Sequence, residues 1–186
     1  RIARAAVQIS YDRPDQADEL IAGLDLAYVQ PSLESALVFR TLALRHAQAE
    51  RWTDAARLYA ALAESITMID PTDTDGVSWQ LMPAATAIVR AGDLAAYDRY
   101  RAVLLRRFGA TEHVVVAEQV MKSCLLTDAD ADMLERMGPL ADIVRAAMTA
   151  PDAQRDAYMH SWRAFCLGLF EYRRDRHDEA LRWLDV

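Results

Sequence analysis

Apolar residues recur three and four positions apart along almost the whole chain, and long alternating apolar and polar runs are missing. That spacing follows the turn of an α-helix and not the pleat of a strand, so the pattern predicts helices throughout and no strands. The one β-branched cluster, Val114, Val115 and Val116, runs directly into Ala117, Glu118, Gln119, Val120 and Met121, which favours a helix there too.

Breakers divide the helical text into pairs. The first pair is Ile2 to Ser10 and Pro14 to Leu24 about a tight turn at Tyr11 to Arg13, with Pro14 suited to a first helical turn where its missing N–H costs nothing. Pro31 and Ser32 open a helix to about Ala49, and its partner runs from Trp52 to about Ile69. An acidic loop follows, with Ser78 as N-cap of a helix from Trp79 to Ala91. Gly92 and Asp93 turn the chain into Leu94 to Phe108, which Gly109 is expected to end in the left-handed conformation. A fourth pair spans Thr111 to Leu126 and Ala131 to about Thr149, with Gly138 and Pro139 expected to kink or interrupt its second helix. The last pair is Gln154 to Arg173 and a helix from about His177.

The pairs also share a local text. Arg13-Pro14-Asp15-Gln16, Arg51-Trp52-Thr53-Asp54 and Arg176-His177-Asp178-Glu179 each lead to an alanine, at Ala17, Ala55 and Ala180. A small residue there lets two helix backbones approach closely, and hairpins that cannot bury their apolar stripe alone must stack on neighbours.

On these residues the chain resembles the tetratricopeptide repeat family. Phe39, Leu42 and Ala43 followed by Ala55, Tyr59 and Leu62 match the family pattern, as do Leu167 and Gly168 followed by Ala180, Leu181 and Leu184. The third pair departs from it with Tyr97 at the small crossing position, and the fourth has no clean match. The resemblance implies an all-α, right-handed solenoid of about five antiparallel helix hairpins, a single repeat domain over residues 1–186. Because the sequence starts with Arg1 and stops at Val186 within a helical text, it is expected to be a piece of a longer protein. The stretch from Arg106 and Phe108 through Glu118, Lys122, Ser123, Cys124 and Leu125 is also similar to repeat regions that follow the kinase domain in some large bacterial serine/threonine kinases. The kinase glycine loop, catalytic-loop Asp and DFG segment do not occur in this sequence.

Charge and chemistry narrow the functional classes. A formal charge of −7 and a pI near 5.1 oppose attraction to nucleic acid or anionic lipid. No apolar run is long enough to span a membrane. Lys122 is the only lysine against twenty arginines, read as the codon bias of a high-GC bacterial genome. Cys124 and Cys166 fall in apolar helical text and are expected to be buried and reduced. His46, His113, His160 and His177 form no ligand pair, so no metal or cofactor is expected. The acidic loops around Asp73, Asp75 and Gly76 and around Asp128, Asp130 and Asp132 lack the glutamate that closes a calcium loop, and are read as capped turns. Phosphate-cradling glycine strings and nucleophile elbows are missing, so no catalytic residue is assigned and the chain is not expected to be an enzyme.

The expected role is therefore a cytoplasmic, non-catalytic scaffold that binds a protein or peptide and is attached to a signalling or regulatory protein. The alternatives are a helical sensor for a small ligand and a dimerisation or spacer arm, self-association being allowed by apolar ends of the stack. The resemblance implies a concave surface lined by the first helix of each pair. That alignment gives Arg40, Leu44, Trp79, Met82, Arg90, Trp162, Phe165, Tyr172 and Arg173 as partner-binding positions, with Leu37 and Leu169 beside them. Aromatics and arginines are favoured where binding energy concentrates.

Overall fold

The computed structural model describes residues 1–65, 80–151 and 155–185. Among them are ten α-helices, one short 3-10 turn (Leu26–Tyr28) and no strand. The helices are α1 (Ile2–Ser10), α2 (Pro14–Ile21), α3 (Leu33–Gln48), α4 (Trp52–Ser65), α5 (Leu81–Arg90), α6 (Leu94–Phe108), α7 (Val114–Cys124), α8 (Ala131–Thr149), α9 (Ala157–Arg173) and α10 (His177–Leu184). No described helix is long and apolar enough to cross a membrane.

The described residues fall into two compact units: residues up to 65 with 83–103, and residues 80–82 with those from 104 on. In the first, α1 packs on α2 and α3 on α4, and α3 also touches both α1 and α2. In the second, α7 packs on α8 and α9 on α10, while α9 also touches α7 and α8. Each consecutive pair buries the apolar stripe that its spacing set out. Phe39, Leu42, Leu58, Tyr59 and Leu62 form the centre of the first unit, and Val120, Met121, Leu140, Val144, Leu167 and Phe170 that of the second. Burial pushes the Tyr59 phenol up to about 12.

Polar residues fix where helices start. Ser32 and Ser35 cap α3 reciprocally: each backbone N–H donates to the other's hydroxyl, at 2.9 and 3.0 Å. Ser35 Oγ also reaches Ser65 Oγ on α4 at 2.8 Å, so one cap ties the pair together. Asp93, Asp130 and Asp156 accept the N–H of the third residue of α6, α8 and α9, which are Ala96, Met133 and Met159.

Four hairpin turns share one backbone geometry. Asp12, Glu50 and Asp175 stand at φ of 56°, 57° and 57°, and Gly92 stands at 76°. After the three acids, Arg13, Arg51 and Arg176 donate their N–H to the carbonyls of Gln8, His46 and Glu171, at 2.9, 2.9 and 3.0 Å. The carbonyls of those arginines then accept from Ala17, Ala55 and Ala180, all buried. After Gly92 the carbonyl of Asp93 accepts from Tyr97, so the crossing position is the same and only the side chain differs. Glutamate is poorly suited to the left-handed region, where its Cβ crowds the following carbonyl. Glu50→Gly is therefore expected to raise stability by about 0.5–1 kcal/mol in urea denaturation, after allowing for the more flexible unfolded chain. A loss would mean that the Glu50 side chain matters more than its backbone.

Several expected boundaries shift for local reasons. α2 stops at Ile21 and not Leu24, because Ala22 turns extended and Gly23 adopts φ of 72°. α7 begins at Val114 because the Thr111 hydroxyl accepts the His113 N–H at 3.2 Å and holds a non-helical turn. Gly109 is not left-handed: its N–H donates to Leu105 O at 3.0 Å, and a Cβ would collide with that carbonyl, so close approach is what calls for glycine. α8 runs through Pro139 without interruption, with Pro139 exposed and open space around Gly138. Ser78 and the first acidic loop lie outside the described residues.

Candidate functional site

Helix α9 has two opposite characters. Ala164, Leu167, Gly168 and Glu171 are buried, and a Cβ on Gly168 would lie 3.1 Å from the Leu184 side chain and 3.3 Å from Ala180 O. That glycine is the seat on which α10 rests. Glu171 accepts a hydrogen bond from Arg145 Nη2 at 2.6 Å, which ties α9 to α8.

Tyr158, Trp162, Phe165, Leu169 and Tyr172 stand four, three, four and three positions apart, which places them along one face. Trp162 is 37% exposed and Phe165 44%, and Tyr158 and Tyr172 are more open still. The rings are not independent. Tyr158 meets Trp162 edge to face at 6.1 Å, and Trp162 meets Phe165 at 6.0 Å. Such contacts hold rings in fixed orientations and lower the entropy lost when a partner docks.

The ridge rests on a buried ionic pair. Lys122 Nζ lies 4.3 Å from the Trp162 ring centroid and donates to Glu118 Oε1 at 2.8 Å. Glu118 is 1% and Lys122 3% exposed. Beside them the Cys166 thiol donates to the backbone carbonyl of Glu118 and lies 3.9 Å from Met121 Sδ. Burial, reinforced by the Glu118 carboxylate and opposed by Lys122, pushes that thiol far up, so it stays protonated and packs as an apolar group. Cys124 is likewise free and buried.

Other expected partner-binding positions carry internal work. Arg173 donates to the carbonyls of Leu125 and Leu126 at 3.2 to 3.3 Å and to Asp128 at 2.6 Å, closing the C-terminal end of α7. Asp128 and Asp130 thus serve a turn and a cap, as expected of the second acidic loop. Tyr172 is flanked by His177 and by the Arg173 guanidinium. In the first unit Arg40 is half-buried and Leu44 exposed, one helical turn apart on α3. Arg90 ends α5 with its guanidinium 4.7 Å from the Trp52 ring centroid. Met82 is half-buried on α5, and Trp79 lies outside the described residues.

Sequence reasoning missed a groove in the first unit. It has a volume of about 960 Å³ and is formed by residues 24–31, the outer face of α4 and the start of α6. The available signal was the run of alanines on α4 broken by Arg57, but three distant segments must meet before it becomes a groove. No group of three or more His, Cys, Asp or Glu side chains among the described residues is placed to hold a metal.

No family model matches the chain, and no curated protein or solved structure matches it significantly.

Proposed function

We propose that this chain is a non-catalytic protein-binding scaffold module: a tetratricopeptide-like stack of antiparallel hairpins that works in the cytoplasm as part of a signalling or regulatory protein. The aromatic ridge of α9 is its main docking surface, and its occupant is an apolar or aromatic stretch of a protein partner. The observation that carries this reading is the chain of exposed rings from Tyr158 through Phe165, held edge to face above a buried ion pair. Large rings that are already oriented, yet open to solvent, are what binding hot spots require.

The test is titration of isotope-labelled protein with a capped amphipathic peptide bearing leucine and phenylalanine on one face. Amide shifts are expected to cluster on α9, and Trp162→Ser with Phe165→Ser should weaken binding by more than roughly tenfold. Equal binding by the double variant would overturn the reading. So would a concentration-dependent size that the same variant abolishes, which would make the ridge a contact between copies.

A further inference from the structure

The groove of the first unit carries charge of both signs. Arg57 on α4 and Arg99 on α6 both line it and are exposed, and among the described residues neither has a hydrogen bond or ion pair. Two exposed acids also line the groove, and each gives one carboxylate oxygen to a backbone N–H. Asp25 accepts the Ala27 N–H at 3.1 Å at the start of the 3-10 turn, and Asp93 accepts the Ala96 N–H at 2.8 Å at the start of α6. The groove therefore presents two guanidinium groups with unused forked donors, beside two capping carboxylates and apolar lining. That lining includes Leu24, Val29 and Pro31 and small side chains such as Ala60 and Ala61, which let another backbone come close.

We propose that this groove is a second docking site, for an acidic protein segment whose carboxylates pair with Arg57 and Arg99 while its apolar side chains lie against the alanines of α4. Arginine recognises carboxylates through paired N–H donors, and at a rim-exposed site that pairing sets specificity more than raw affinity. A segment fits better than a free acid because the apolar lining extends beside both guanidinium groups. The assignment rests on residues of the first unit alone and is independent of the α9 ridge.

The experiment uses the whole chain and three probes: a short capped peptide alternating leucine and glutamate, its leucine and glutamine counterpart, and free glutamate. Fluorescence anisotropy and amide shifts are read at low and high salt. The glutamate peptide is expected to shift amides of residues 24–31 and α4. Its binding should weaken roughly tenfold in Arg57→Gln with Arg99→Gln, and should fall with salt as exposed charge pairs do. Both arginines are exposed, so the double variant should melt like the parent chain. Trp162→Ser should leave this binding unchanged, which separates failure here from failure of the ridge. Equal binding of the glutamine peptide, unchanged binding by the arginine variant, or equal binding of free glutamate at the same amides would each overturn the proposal. Self-association lost in the arginine variant would also overturn it, because the occupant would then be a second copy.

Discussion

Glu118→Ala is expected to cost about 3–5 kcal/mol of stability, more than a typical surface carboxylate by a wide margin, because it leaves the Lys122 ammonium buried without its counter-charge. Lys122 is 3% exposed, and the Trp162 ring face alone cannot replace a carboxylate at 2.8 Å. Removing both charges should be far milder. Glu118→Leu combined with Lys122→Met restores an apolar layer of similar volume, and most of the loss should return. Urea denaturation of Glu118→Leu, Lys122→Met and the pair closes a double-mutant cycle. Losses in the pair that equal the sum of the singles would show that the two charges do not depend on each other, contrary to the geometry.

Tyr97→Ala is the second large effect, and its direction runs against repeat logic. Tyr97 occupies the turn position filled by Ala17, Ala55 and Ala180 elsewhere, so an alanine there would make the sequence more regular. The ring is fully buried, however, and the Arg101 guanidinium lies 4.7 Å from its centroid. Truncation should open a cavity and cost about 3–5 kcal/mol, read as a lower midpoint in chemical or thermal denaturation. A neutral or stabilising result would mean that the surrounding helices close onto the smaller side chain.

These two positions also mark what could be read from the sequence. α1 and α6 were legible to the residue and α8 at its start, since Pro14, Gly92 and Asp130 punctuate their neighbourhoods with local chemistry. The close seats at Ala17, Ala55, Ala180 and Gly168 were legible too, because small residues recur at fixed distances from the turns. Gly109 was misjudged because a glycine after a helix signals either a left-handed cap or a close approach, and only coordinates separate them. On α9 Trp162, Phe165 and Tyr172 followed from aligning the pairs, whereas Tyr158, which meets Trp162 edge to face, was not among those positions. The engagement of Arg173 did not follow, since its partners at Leu125 and Leu126 lie just past the end of α7, and neither did the Lys122 support beneath Trp162. Long-range pairing of this kind leaves no periodic trace.

Placing the sole lysine of the sequence under an indole has a practical corollary. Acylating reagents aimed at side-chain amines find no open target in the native fold, so modification at Lys122 acts as a clock for opening of the layer beneath α9. Anything that clamps Trp162 in place should slow that clock, which turns a single residue into an internal gauge of occupancy on the ridge.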